Sequence, residues 1–251
     1  MEGFLPPGAD LTAWAGLLMI IIARFSFVIF FMPGVGEQTV PVRVRAMVLV
    51  AVAVTTAGAG IVPMPDTGSL SGFFTLLMTE VIIGLALGAL VRLSIWMLTI
   101  AGTVIAQSIG LAQFLGFALE HEAQTLTANL LSLAGAAVLL SANFHVAIIA
   151  GLMRLYADIP LGAITEVSWP LLFDSFFSAL GFALMLAWPF AVANLLYNIC
   201  LGFINKALPS LMVAFVGAPF LVGAGAMLLA IAVSGLLIVW KDRAMQVIGW
   251  L

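Results

Sequence analysis

Apolar residues run in long stretches along the chain, near 11–32, 41–62, 70–118, 126–153, 168–200 and 210–240, with polar residues gathered in the gaps between them. Each stretch is long enough for a helix crossing about 30 Å of hydrocarbon, and 70–118 is long enough for two. The gaps carry the residues that stop helices: "MPGVGEQTVP" at 32–41, "PMPDTG" at 63–68, "YADIPLGAITEVSWP" at 156–170 and "NKALPS" at 205–210. Strand-like alternation is absent, and a bilayer-spanning sheet would have to close as a barrel, so the pattern predicts an all-α membrane protein. Arg43 and Arg45 after the first gap, and Lys241 and Arg243 near the C-terminus, all ask to be cytoplasmic. Splitting 70–118 at Arg92 satisfies them with seven crossings, the N-terminus outside, and Arg92 and Arg154 also inside.

Composition sharpens this reading. Hydrophobic residues make up 64% of the chain and charged ones 8%. The net charge of -3 is scattered singly, and no basic block suggests nucleic acid. One cysteine, Cys200, lies in an apolar run, which excludes a disulfide framework and a paired-thiol redox motif and reads as a small buried hydrophobe. The start "MEGFLPPGADLTAW" has no basic region and no small-residue cleavage pattern, so the first apolar segment is expected to stay in the mature protein.

Candidate chemistry is sparse. "FALEHEAQT", residues 117–125, holds a Glu-His-Glu cluster. A zinc-protease helix needs a second histidine one turn after the first, and Thr125 stands there; His145 lies beyond a long apolar stretch. No metal, cofactor or catalytic group is therefore assigned, and Glu120, His121 and Glu122 read as a solvated turn. Two ionisable residues stand inside apolar segments. Arg24, midway along the first, costs about 2.5–3.5 kcal/mol at a bilayer centre, which demands a partner or a water-lined position. Glu80 in "EVIIGLALGALVRL" lies on the same helical face as Gly84 and Gly88, a small-xxx-small face that lets backbones approach closely. A lone acid with no run of Asp, Glu or His around it reads as a hydrogen-bonded group at a packing interface, not a proton relay. On that reading Glu80→Gln should be nearly silent.

Two further stretches belong together: "ARFSFVIFFMPGVGEQTVPVRVR", and "NICLGFINKALPSLMVAFVGAPF" with Asn198, Gly202, Asn205, Lys206, Pro209, Phe215, Gly217 and Pro219. With "IIGLALG" after Glu80, "AG" at 101–102, the glycine-rich segment around Gly110 and "NFH" at 143–145, their order and spacing resemble the FliR family, called SctT in injectisomes, over essentially the whole chain. The resemblance implies a non-enzymatic subunit of a type III protein export gate in the bacterial inner membrane, at the base of the flagellar basal body. It also implies FliP-like and FliQ-like subunits in a heteromeric ring, an FlhB-like switch protein alongside, surrounding lipid, and unfolded exported proteins as cargo. The fold it implies is one FliR-like domain of tilted, kinked hairpins over 1–251, with a FliP-like part at 1–165 and a FliQ-like helical hairpin at 166–251. Arg24, Glu80, Gly84, Gly88, Asn198, Gly202, Asn205, Pro209, Gly217 and Pro219 are then expected at helix-packing or buried polar positions.

The family's channel plug falls on 110–122. There Gly110 and Gly116 permit bends, and Phe114, Leu115 and Phe117 can close a narrow pore by excluding water. Three departures from the family pattern stand out: Glu120-His121-Glu122 replaces an Asp-Pro pair, Phe144 a Gly, and Ser210 a Gln. The competing class is a secondary transporter or small-solute channel. Such folds show matching broken helices in two halves, and here Pro189 and Pro219 are candidate breaks in the C-terminal half alone.

Overall fold

A computed structural model describes residues 11–37, 40–65, 69–110, 120–207, 213–247 and 249, with backbone alone at 120–125 and 213–216. Among these residues the regular structure is helical: α1 Leu11–Phe31, α2 Val42–Gly58, α3 Leu70–Ser108, α4 Glu120–Ser141, α5 Phe144–Asp158, a short 3-10 turn Ile164–Glu166, α6 Trp169–Ala207 and α7 Val213–Val247. The protein is thus an all-α membrane protein, as the apolar pattern predicts.

The helix boundaries correct the crossing count. The stretch 70–118 is not split at Arg92. α3 runs unbroken for 39 residues, because a charged side chain does not interrupt backbone hydrogen bonding as proline does. The stretch 126–153 does break, at Ala142 and Asn143, where Asn143 takes the left-handed conformation with φ 57°. Asparagine tolerates that region, and the Asn143 carbonyl starts α5 by accepting from the amides of Val146 at 3.0 Å and Ala147 at 3.1 Å. α2, with 17 residues, falls short of the roughly 20 needed to span hydrocarbon. Among the described residues four helices qualify as spans by length and composition, or five if the bent pair α4–α5 counts as one, in place of the seven expected. α6 and α7 continue through Pro189 and Pro219 without a break.

The contacts divide the chain into two compact units. The first comprises residues 1–93, 139–175 and 245–251, and holds α1, α2, the first part of α3 and α5. Its core includes a stripe on α1, Leu17, Ile20, Ile21, Phe25, Val28 and Ile29, all essentially inaccessible and spaced as one helical face. Ile83, Leu87 and Val91 of α3 and Ile148 and Leu152 of α5 are buried likewise.

The second unit comprises residues 94–138 and 176–244. Small residues dominate its core: Ala101 on α3, Ala128 on α4, Ala179, Ala183 and Ala187 on α6 are all buried. A Cβ on Gly102 would stand 2.7 Å from the Ala128 Cα, so α3 and α4 meet almost backbone to backbone, as small residues allow where lipid supplies no hydrophobic drive. Trp240 of α7 is fully buried. Its indole N–H donates to the Ser94 carbonyl at 2.7 Å, and its ring lies where a side chain on Gly135 would stand, 2.9 Å from a Cβ there.

Candidate functional site

Position 24 continues the buried stripe of α1, yet it is an arginine. Arg24 and Glu80 are each 0% exposed, and they are the only charged side chains among the described residues that are buried. They pair with each other. Arg24 Nε donates to Glu80 Oε2 and Nη2 to Glu80 Oε1, the latter at 3.0 Å, a forked geometry suited to the planar guanidinium. The remaining capacity of both groups is met by the connector after α5. Arg24 Nη1 donates to the Ile159 carbonyl at 2.8 Å and Nη2 to that of Pro160 at 3.2 Å, while the Gly162 amide donates to Glu80 Oε1 at 2.8 Å. The Tyr156 ring lies under the guanidinium, 4.1 Å from its carbon to the ring centroid, a stabilising cation–π arrangement.

This cluster fastens three parts of the first unit: α1, α3 and the connector 159–162. A buried ion pair recovers its desolvation cost only when such extra hydrogen bonds are present. The local backbone is shaped to provide them. Gly162 sits at φ 75°, a conformation that glycine adopts without strain, and this turn offers two carbonyls and one N–H to the pair. Sequence reasoning asked for partners for Arg24 and Glu80 separately and did not join them. The available signal was the presence of opposite charges, one in each of two apolar segments.

Gly84 and Gly88 lie one and two turns after Glu80 and are buried. A Cβ on Gly84 would fall onto the Arg24 carbonyl oxygen and within 3.0 Å of the Arg24 Cα; one on Gly88 would come 2.8 Å from the Phe27 carbonyl carbon. The glycine face of α3 is where the α1 backbone rests, and this close approach sets Glu80 opposite Arg24. A second, partly buried ion pair links Arg92 on α3 to Glu37 in the loop after α1, at 3.0 Å.

The other sequence-predicted residues are not brought into this cluster. Asn198, Gly202 and Asn205 lie exposed on α6 in the isolated chain, and Pro219 is exposed on α7. Gly217 on α7 faces the Tyr197 hydroxyl, where a Cβ would collide. Cys200 is free and exposed, not buried, because the C-terminal half of α6 has little of its own chain beside it. Gly110 ends α3 at φ 70°. Phe114, Leu115, Gly116, Phe117 and Pro209 lie outside the described residues, as do the side chains of Glu120, His121 and Glu122. Among the described residues no three His, Cys, Asp or Glu side chains are placed to share a metal ion. A mostly apolar cleft of about 320 Å³ opens in the second unit, lined by Ile109, Phe190, Asn194, Tyr197 and Phe220 among others.

Comparison with known proteins gives this arrangement a family. FliR, a flagellar biosynthetic protein of Caulobacter vibrioides, is 29% identical over 231 residues, covering 89% of this chain and 91% of that protein. FliR of Escherichia coli K12 is 28% identical over 223 residues, 87% of this chain and 84% of its own. FliR of Aquifex aeolicus is 26% identical over 162 residues, 64% and 63% of the two chains. The family model for bacterial export proteins, family 1, matches residues 15–247. With α3, most of α1 and the cluster that fastens them inside that match, the chain belongs to the bacterial export proteins, family 1.

Proposed function

We propose that the chain is a non-enzymatic subunit of a flagellar type III export gate in the bacterial inner membrane, where it helps to form and close the channel through which unfolded proteins leave. The observation that carries this reading is likeness to flagellar FliR proteins over about nine-tenths of the chain. The fold supports a role in an assembly. In their most apolar windows only 28% of α6 and 6% of the Gly217–Val247 part of α7 are buried, so both helices hold broad apolar faces for lipid and for neighbouring subunits. Residues 166–251 form the FliQ-like hairpin of this reading, α6 followed by α7, and residues 1–165 the FliP-like part. The neighbours are FliP-like and FliQ-like subunits in a heteromeric ring, with an FlhB-like protein alongside. Gly110, Phe114, Leu115, Gly116 and Phe117 form the plug that closes the resting channel by excluding water.

The buried Arg24 and Glu80 serve this role structurally, since each is occupied by the other and by backbone. The breaks that suggested the transporter alternative are absent, because Pro189 and Pro219 interrupt neither helix, and the break at Asn143 has no matching one among the described residues. Purification of the tagged chain from the native membrane in mild detergent tests the proposal. A heteromeric complex with one copy of this chain among several FliP-like subunits is expected; a chain that runs alone or as a symmetric oligomer would overturn it.

A further inference from the structure

α6 carries Asn194, Asn198, Gly202 and Asn205 within an otherwise apolar helix. At 100° per residue these four lie within about 80° of one another on the helix circumference, and they extend about 16 Å along it. Asn198 Nδ2 donates to the Asn194 side-chain and main-chain oxygens, both at 2.8 Å. The Asn194 side-chain amide N–H groups and the whole Asn205 side chain have no partner among the described residues. Gly202 differs from the glycines of α3: a Cβ there would meet nothing within 4 Å, whereas Gly84, Gly88 and Gly102 are each filled by a neighbouring backbone.

The stripe lies at an edge of α6. On one side Tyr197 and Leu201 face Gly217 of α7; on the other Leu195, Ile199 and Phe203 are exposed. We propose that Asn194, Asn198, Gly202 and Asn205 form a hydrogen-bonding seam that docks a membrane helix of a different subunit bearing side-chain amides or hydroxyls. This inference rests on the heteromeric reading above. Unpaired amides are costly against lipid. A water-filled lumen would wet a broad face, but this polar stripe is narrow and bordered by bulky apolar residues. Glycine between two hydrogen-bonding side chains is what a close helix–helix contact requires.

A photo-crosslinking residue placed at position 198 tests the seam in the full complex purified from native membranes. Position 198 is expected to give an adduct with another membrane subunit, absent when the chain is produced without the others. Adducts at 198 only with lipid, or only with an exported polypeptide, in a complex of normal composition would overturn the seam and leave the gate reading standing. Loss of side-chain hydrogen bonding in Asn198→Leu should lower the amount of co-purifying subunit by about fivefold to tenfold, with partial recovery in Asn198→Gln. Wild-type recovery of every subunit with both Asn198→Leu and Gly202→Leu would also overturn it. Absence of any other subunit in the wild-type preparation would overturn the gate reading and the seam together.

Discussion

Replacing Glu80 by Gln changes one atom type and removes one charge, and the structure sets what that should cost. The carboxylate accepts two bonds from Arg24 and one from the Gly162 amide. Glutamine offers a single acceptor oxygen, and its NH2 group would face a guanidinium N–H, donor against donor. Arg24 would stay charged and 0% exposed, with the Ile159 and Pro160 carbonyls and the Tyr156 ring as its remaining partners. Breaking a buried pair on one side costs about 3–5 kcal/mol, and the surviving partners place this case near the low end. About 3 kcal/mol corresponds to roughly two decades in the ratio of intact to disrupted molecules, or a fall in apparent Tm of roughly 6–12 °C for a chain of this size. Heating the detergent-purified complex and following the intact fraction by fluorescence-detected size exclusion measures this. The double variant Arg24→Met, Glu80→Leu removes both charges and should recover most of the loss, since apolar replacement of a buried pair is often neutral. An unchanged Tm for Glu80→Gln alone would show that the charge contributes nothing and restore the neutral hydrogen-bond reading suggested by the sequence.

Other expectations follow from single contacts. If the gate proposal holds, Gly84→Leu should abolish assembly, because the new side chain meets the Arg24 backbone, whereas Gly58→Ala, with nothing within 4 Å, should leave assembly unchanged in the same pull-down. Trp240→Phe leaves the Ser94 carbonyl without its indole donor and should lower stability by about 1–3 kcal/mol; Trp240→Ala should lose about 3–5 kcal/mol through the cavity it opens. If the plug proposal holds, Phe114→Ala with Phe117→Ala should raise ion conductance of the inner membrane in cells with an assembled gate. Wild-type tightness there would place the closure elsewhere. Metal analysis of the purified complex should find no stoichiometric zinc that disappears in His121→Ala.

The fold class and most helix ends were legible because they depend on local chemistry. The gaps at 32–41 and 156–170 carry proline and glycine, and the helices stop there. Arg92 misled for the opposite reason: the positive-inside rule places charges relative to a membrane, but it does not interrupt a helix, and Arg92 finds Glu37 as its partner. Asn143 was missed because no Pro or Gly marks it, and only its φ of 57° reveals the break. The Arg24–Glu80 pair was half legible. Each residue's need for a partner follows from hydrophobicity alone, but the pairing depends on residues 56 apart in sequence and on a turn at Gly162 that a single sequence does not position. Burial of Asn198, Gly202 and Cys200 could not be read from one chain, because apolar surroundings in sequence do not tell lipid or a sister subunit from the chain's own core.

α3 and α6 have 39 residues each and α7 has 35, or about 58 and 52 Å at 1.5 Å per residue. Even at a tilt of about 40°, the steep end of the usual range, 39 residues would still rise about 44 Å, well beyond the roughly 30 Å of hydrocarbon. The excess remains apolar: Phe173, Phe177, Met185, Trp188, Leu195 and Phe203 on α6 are all more than half exposed. Bilayer thickening absorbs only part of such a mismatch, so the rest has to be covered by protein. The chain made without its neighbours should therefore be the less stable species in the membrane. If the proposed FliP-like and FliQ-like subunits supply that cover, pulse–chase labelling in cells lacking their genes should show a half-life several-fold shorter than in cells that contain them. The same half-life in both would mean that the surplus apolar length is accommodated by lipid and that the exposed faces of α6 and α7 need no partner.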